Sequence, residues 1–226
     1  MMFCPTFMKF SCTDEFFMYT TLVVKTYYKL DIGGSFVIDF IDKNEEKLKT
    51  LILCLGFIYG TQFLYLIVAM IINLYGMNKD IHILEGPAIP LMLSFLFPGL
   101  CINHFILKTK YSIDYKVIIL FFLVSAVCLY YFRIELILLV NTAMVAISEE
   151  FIYRDVIQSY LNKYFSFILT VIIVSLTFAL CNHSSYSIMD NLLYRFPMSL
   201  VLSVVAQKYG LGWTILLHYI HNLSCI

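Results

Sequence analysis

The sequence predicts an all-α, polytopic membrane protein with about seven transmembrane helices in one bundle. Of its 226 residues, 61% are hydrophobic and only 13% are charged, whereas a soluble domain carries about 25% charged residues. The mean hydropathy is +0.86, which is strongly apolar. The net charge is zero, so the composition does not indicate nucleic acid as a partner. We therefore expect an integral, multi-pass protein surrounded by the lipid bilayer, in the plasma membrane if the chain is prokaryotic.

Residues 1–48 are predicted to form an N-terminal extension that is interfacial or cytoplasmic. The apolar run at residues 16–24 is too short to cross a bilayer, and the Gly33-Gly34 pair that follows it is typical of a turn. A tilted additional span is the alternative for this region.

The rest of the chain divides into two groups of apolar segments. An N-terminal transmembrane group occupies residues 49–133, and a C-terminal helical core occupies residues 134–226. Pro90 and Pro98 are predicted to kink the second segment, which a membrane helix tolerates when neighbours satisfy the freed carbonyl groups. The predicted helices are, in chain order, residues 51–74, 88–107, 117–132, 134–161, 165–181, 191–206 and 211–225.

Three ionisable residues, Glu149, Glu150 and Arg154, lie inside the fourth apolar segment. Ionisable side chains at bilayer depth are costly, so they are usually paired and functional. At about 100° per residue, Glu150 and Arg154 share one helix face, whereas Glu149 points about a quarter-turn away. We expect Glu150 and Arg154 to pair, which leaves Glu149 to act as a general base. The alternative is a purely structural ion pair.

Two later segments add further polar groups. His218 and Asn222 are four residues apart, so they share one face of the last helix. An imidazole and a carboxamide side by side can donate two hydrogen bonds to a developing oxyanion. His183, near the end of another segment, could share a nucleophilic water with Glu149. The structural alternatives are a helix cap for His183 and interhelical hydrogen bonds for His218 and Asn222.

Three motifs follow one another in this core: Glu149-Glu150-x-x-x-Arg154, then Phe178 followed by His183, then His218-x-x-x-Asn222. Together they resemble the CAAX-processing and bacteriocin-processing (CPBP, Abi-type) family of intramembrane proteases, which includes the type II CAAX prenyl endopeptidases. The resemblance covers residues 134–226. It implies that Glu149 and His183 activate the catalytic water, and that His218 and Asn222 stabilise the oxyanion. By the same resemblance, Arg154 orients Glu150 or the site.

One spacing departs from the family pattern. The family's second motif reads F-x-x-x-H, whereas four residues separate Phe178 from His183 in this chain. One extra residue turns the histidine by about 100° around an α-helix. Three outcomes stay open: a local bulge absorbs the extra residue, the phenylalanine is dispensable, or Asn182 takes the expected face and activity is impaired.

A metal-dependent mechanism is the alternative to metal-free glutamate chemistry. Glu149, His183 and His218 could supply three ligands to a divalent ion such as zinc, with water in the fourth position. Metal-free chemistry is favoured because the chain has no H-E-x-x-H motif and because Asn222 would be a poor zinc ligand. The seven cysteines include no C-x-x-C pair, so we expect neither a disulfide framework nor a cysteine-built metal site.

The favoured function is an intramembrane endopeptidase. Its substrate would be a peptide or protein, either prenylated as in CAAX processing or unmodified as in peptide or bacteriocin processing. The alternative is a catalytically impaired membrane scaffold or a bacteriocin-immunity protein. A transporter or proton relay lined by Glu149 and the histidines is a third hypothesis, which the lack of an internal repeat weakens.

Overall fold

The computed structural model describes residues 34–76, 88–107, 114–183 and 186–225 of the chain. Every regular element in these stretches is helical, and none of them contains a β-strand. The predicted all-α fold class is therefore confirmed. Of the predicted N-terminal extension, the described part is helical from Gly34 onward, whereas the apolar run at residues 16–24 lies outside the described residues.

Seven helices follow one another in the described stretches, and each overlaps one predicted apolar segment, although the first begins well before the predicted start at residue 51. The first helix, α1, spans Gly34–Gly76 and has a non-helical backbone conformation at Asn44. The second, α2, consists of four contiguous segments: Ala88–Leu91, Met92–Leu96, Phe97–Ile102 and Asn103–Leu107. The others are α3 (Tyr115–Tyr130), α4 (Leu136–Leu161), α5 (Phe167–Asn182), α6 (Ile188–Tyr209) and α7 (Leu211–Leu223).

Near its prolines, α2 continues as a helix with locally widened turns. The segments Met92–Leu96 and Asn103–Leu107 are π-helical, so their hydrogen bonds join residues five apart rather than four. The Ser94 hydroxyl donates to the carbonyl oxygen of Pro90. Widened turns of this kind satisfy backbone groups that a proline leaves free in a membrane helix, whereas the Ser94 hydroxyl makes an ordinary bond to the carbonyl four residues before it.

Ser187 and Gly210 mark helix ends in the C-terminal part of the chain. Ser187 caps α6, because its side-chain oxygen accepts a hydrogen bond of 3.1 Å from the Asp190 N–H. Between α6 and α7 stands Gly210 alone, whose φ of +92° lies in the region that favours glycine. This short connection makes α6 and α7 close packing neighbours.

Among the helices long enough to cross a bilayer, α4 is the most buried. Three helical stretches have the required length and composition: Asn44–Ile72, Leu136–Leu161 and Ile188–Tyr209. The buried share of their apolar windows is 56% for Leu136–Leu161, against 17% and 22% for the other two. Long apolar helices with exposed apolar faces indicate an integral membrane protein. The number of spans stays a prediction.

Residues 53–226 form one compact unit, and every contact between helices described below lies within it. Helices α2, α5, α6 and α7 all pack against α4. A small apolar core joins α3, α4 and α7, and consists of Cys128, Leu139, Ala143, Ala146 and Tyr219. Tyr219 also stacks on Phe121, with 4.5 Å between ring centroids. This packing places the neighbouring residue on α7, His218, against the polar part of α4.

Candidate active site

The acidic motif lies at a change of helical geometry in α4. The segment Leu136–Glu150 is α-helical, and the segment Phe151–Gln158 that continues it is π-helical. Glu150 Oε2 lies 3.1 Å from Arg154 Nε, and both side chains are fully buried. The contact is an ion pair rather than an aligned hydrogen bond, since neither atom meets hydrogen-bond geometry. The predicted pairing of Glu150 with Arg154 is confirmed.

Arg154 also joins α4 to two other helices. Its Nη2 donates a hydrogen bond of 2.9 Å to the hydroxyl of Ser199 on α6. Its guanidinium carbon lies 4.6 Å from the centroid of the Phe178 ring on α5, within the range of a cation–π contact. Its Nη1 has no hydrogen-bond partner among the described residues. Arg154 therefore fixes Glu150 and the surrounding helices together.

His218 lies between the two glutamates. Its Nδ1 is 2.7 Å from Glu150 Oε1, a hydrogen-bond distance at which the ring N–H donates to the carboxylate. Its Nε2 is 3.7 Å from Glu149 Oε2, which is too long for a direct hydrogen bond. Glu150 thus holds one side of the imidazole ring, and the other side faces Glu149. The sequence did not predict this contact, because Glu150 was expected to pair with Arg154 alone.

Glu149 points toward the end of α5. Its Oε1 accepts a hydrogen bond of 3.0 Å from the side-chain amide of Asn182. Glu149 is 6% exposed and Glu150 is 0% exposed, so the site is buried but Glu149 is the more accessible of the two carboxylates. Glu150 therefore contacts both Arg154 and His218, whereas Glu149 bonds to Asn182.

A π-helical turn absorbs the extra residue between Phe178 and His183. The segment Phe178–Asn182 is π-helical, so its hydrogen bonds join residues five apart. His183 is the fifth residue after Phe178 and therefore lies near the same face as Phe178. The rings of Phe178 and His183 are accordingly 5.1 Å apart, in an edge-to-face arrangement. Phe178 is also 6.0 Å from the ring of His218, so it lies in contact range of both histidines. The structure thus shows a local bulge, and it also places Asn182 rather than His183 against Glu149, as the third alternative expected; the effect on activity stays a prediction.

Asn222 lies one turn after His218 on α7 and is partly buried. Its backbone carbonyl accepts a hydrogen bond of 3.2 Å from the Cys225 N–H near the end of the helix. Among the described residues, no hydrogen bond joins its side chain to the other site residues. The structure therefore brings Glu149, Glu150, Arg154 and His218 into contact, links His183 through Phe178, and leaves the role of Asn222 a prediction.

The predicted metal ligands were Glu149, His183 and His218. In the part of the chain that the structure describes, no group of three His, Cys, Asp or Glu side chains is arranged to hold a metal ion. His218 meets a carboxylate at each ring nitrogen. Asn182 rather than His183 occupies the position next to Glu149. These three residues are therefore not assembled as a three-ligand site among the described residues, and metal dependence stays a prediction.

Two amide side chains near the site were not predicted from the sequence. Gln62 on α1 donates a hydrogen bond of 2.7 Å to the carbonyl oxygen of Cys181. Asn191 on α6 donates one of 2.9 Å to the carbonyl oxygen of His183. Neither residue belongs to a motif. Their polarity inside apolar segments was the available signal, since such residues usually bond to neighbouring helices.

Comparison with known proteins bears on the C-terminal half of the chain. Searches of the curated proteins and of the solved structures gave no match. Residues 131–224 match the family model described as Rce1-like, type II CAAX prenyl endopeptidase Rce1-like. This stretch contains α4 to α7, and the family suggests an intramembrane protease activity of the CAAX type. The resemblance predicted from the motifs is thereby confirmed: from residue 131 to residue 224, the chain is similar to the Rce1-like type II CAAX prenyl endopeptidases.

Proposed function

We propose that this protein is an intramembrane endopeptidase in which Glu149 is the general base. The observation that carries the proposal is the 3.7 Å separation between Glu149 Oε2 and His218 Nε2 in a buried site. This separation leaves room for a water molecule about 2.8 Å from each of the two atoms, which would hydrogen-bond to both. Glu150 contributes by holding the imidazole at 2.7 Å, as the third member of a catalytic triad holds its histidine.

In the proposed reaction, the carboxylate of Glu149 takes a proton from the water. The water oxygen forms a bond to the carbonyl carbon of the scissile peptide, and the carbonyl electrons move onto oxygen. His218 acts here as the doubly protonated ring: its Nδ1–H stays bonded to Glu150, and its Nε2–H donates a hydrogen bond to this oxyanion. The protonated Glu149 then gives its proton to the amide nitrogen, the C–N bond breaks, and the oxyanion returns to a carbonyl. Atoms and charge balance with one water consumed for each peptide bond.

Three further residues are assigned roles in this proposal. Asn222 follows His218 by one turn, so a rotation of its amide toward the substrate would provide a second donor to the oxyanion. His183, which contacts the Phe178 ring, would bind the substrate or the leaving amine instead of contacting Glu149 directly. Arg154 would act on Glu150, which it neutralises at 3.1 Å.

The proposed substrate is a peptide or protein at the membrane. The similarity to CAAX endopeptidases favours a prenylated C-terminal peptide, and processing of an unmodified peptide or bacteriocin is the second candidate. We propose metal-free chemistry, because Asn182 rather than His183 lies against Glu149 and no three metal-ligating side chains gather among the described residues.

The test is peptide cleavage by the full-length protein in nanodiscs, followed by mass spectrometry. The substrates are a farnesylated Cys-aliphatic-aliphatic-X peptide, its unprenylated counterpart and a panel of hydrophobic leader peptides. We expect Glu149→Gln and His218→Ala to lower kcat at least 100-fold, as removal of a catalytic base or an oxyanion donor does. A chelator should leave the rate unchanged.

Matched controls are available on the same helices. Glu135→Gln changes an exposed glutamate at the start of α4, and His221→Ala changes an exposed histidine one turn from His218. Both control variants should cleave at the wild-type rate. Full activity of Glu149→Gln would overturn the proposed mechanism. Absence of cleavage, together with full biological function of cells expressing Glu149→Gln, would favour the scaffold or immunity protein.

A further inference from the structure

The end of α5 is held by side-chain amides from two other helices. A helix leaves its last carbonyl groups without partners, and in a membrane such groups are costly. The carbonyl oxygen of Cys181 accepts from Gln62 Nε2 at 2.7 Å, and that of His183 accepts from Asn191 Nδ2 at 2.9 Å. Asn191 is 2% exposed, so its bond is well shielded from solvent. The backbone on both sides of Asn182 is therefore fixed.

The side chain of Asn182 leaves this fixed turn toward α4. It donates a hydrogen bond of 3.0 Å to Glu149 Oε1. The other oxygen of the same carboxylate, Oε2, is the one that faces His218 Nε2 at 3.7 Å. The two oxygens of Glu149 thus have different neighbours, and the plane of its carboxylate is set by the amide.

We infer that Asn182 is a positioning residue, which holds Glu149 Oε1 so that Oε2 faces His218 and the reacting water. This inference rests on the proposed function, because it concerns the same base. An amide N–H donates to the carboxylate but takes no proton from it, so the basic lone pairs of Oε2 stay available. The extra residue of the Phe178–Asn182 turn is then what brings a fixed donor to Glu149, while His183 remains beside Phe178.

The test replaces the donor and keeps the volume. Asn182→Leu removes the hydrogen bond with little change in side-chain size, and Asn182→Ala is a second variant in case the leucine does not fit. Asn182→His restores an N–H donor. The matched control is Asn162→Leu, at an exposed asparagine that bonds to Gln207 outside the site. All variants are made in the full chain and checked for wild-type melting temperature in nanodiscs.

The first readout is kinetic, on the farnesylated Cys-aliphatic-aliphatic-X peptide or whichever panel peptide the wild type cleaves. We expect Asn182→Leu and Asn182→Ala to lower kcat about tenfold, the effect of losing one hydrogen bond to a charged group, with KM changed less than about twofold. Asn182→His should keep kcat within about threefold of the wild type. A purely structural role would instead make the larger histidine at least as harmful as alanine.

The second readout is independent of catalysis. Infrared difference spectra assign the carboxyl bands of Glu149 as those lost in Glu149→Gln, and loss of the hydrogen-bond donor should shift these bands in Asn182→Leu but not in Asn162→Leu. Unchanged bands and unchanged kcat in Asn182→Leu would overturn the inference while leaving the proposed protease intact. A shifted band in a protein that cleaves no peptide would instead support the positioning contact and count against the proposed function.

Discussion

Glu149 and Glu150 are adjacent in sequence, yet the structure predicts different effects of replacing each by glutamine: a loss of stability at Glu150 and a loss of activity at Glu149. Glu150 is fully buried, 3.1 Å from Arg154 and 2.7 Å from His218. Removing one partner of a buried ion pair costs about 3–5 kcal/mol, because the remaining charge stays buried and uncompensated. Since glutamine keeps one acceptor oxygen, we expect Glu150→Gln to lower the free energy of unfolding by about 3 kcal/mol, near the lower limit of that range.

Glu149→Gln should behave differently. Glu149 has no arginine or lysine partner among the described residues, and its bond to Asn182 survives because glutamine also presents an acceptor oxygen. We expect its free energy of unfolding to change by less than about 1 kcal/mol, while its activity is lost. The pair of variants therefore separates a structural carboxylate from a chemical one.

The assay is reversible unfolding in mixed micelles by titration with sodium dodecyl sulfate. Trp213 on α7 is the single tryptophan of the chain and provides the fluorescence signal. A double-mutant cycle of Glu150→Gln with Arg154→Met tests the origin of the effect, and the double variant should recover about 1–3 kcal/mol relative to the sum of the single ones. Equal stability of Glu150→Gln and the wild type would refute the argument, as would strict additivity in the cycle.

Three further predictions concern packing. A Cβ atom at Gly99 would lie 3.0 Å from the Phe151 ring, so Gly99→Ala should lower stability by about 1–3 kcal/mol in the same unfolding assay. Gly60→Ala is the control: its added Cβ meets nothing within 4 Å, so this variant should be neutral or stabilising. Gly210→Ala should cost about 1–2 kcal/mol because φ is +92° there, and a wild-type midpoint would contradict this. Tyr153 is buried with a hydroxyl that has no partner among the described residues, so Tyr153→Phe should keep or raise the melting temperature; a lower value would show that the hydroxyl is bonded.

Much of the fold could be predicted because long apolar segments in a weakly charged chain permit few structures other than helices. Each of the seven predicted segments overlaps one of the seven described helices. The i,i+4 pairing of Glu150 with Arg154 was equally predictable, because it depends on helical periodicity within a single element. The contact between Glu150 and His218 was not, because sequence spacing does not determine which faces of α4 and α7 meet.

The π-helical turn at Phe178–Asn182 shows why helical periodicity alone left the position of His183 open. A rule of 100° per residue assumes α-helical geometry, so it rotates every later side chain when a residue is added. In a π-helical turn, the added residue widens the helix locally and the later side chains return to the earlier face. His183 therefore stays in contact with Phe178 although the spacing argued against it, and Asn182 becomes the neighbour of Glu149.

The charges around the two carboxylates also bear on the proposed choice of Glu149 as the base. In a medium of low dielectric, a buried charge needs a compensating partner, and Arg154 provides it to Glu150 at 3.1 Å. Glu149 receives only the amide of Asn182 and the more distant edge of His218. A carboxylate with weaker compensation gains more from taking up a proton, which is the property that a general base requires. In the proposed mechanism, the arrangement that stabilises Glu150 in the folded protein leaves Glu149 as the base. A variant that moved Arg154 toward Glu149 should therefore lose activity although every proposed catalytic residue is kept.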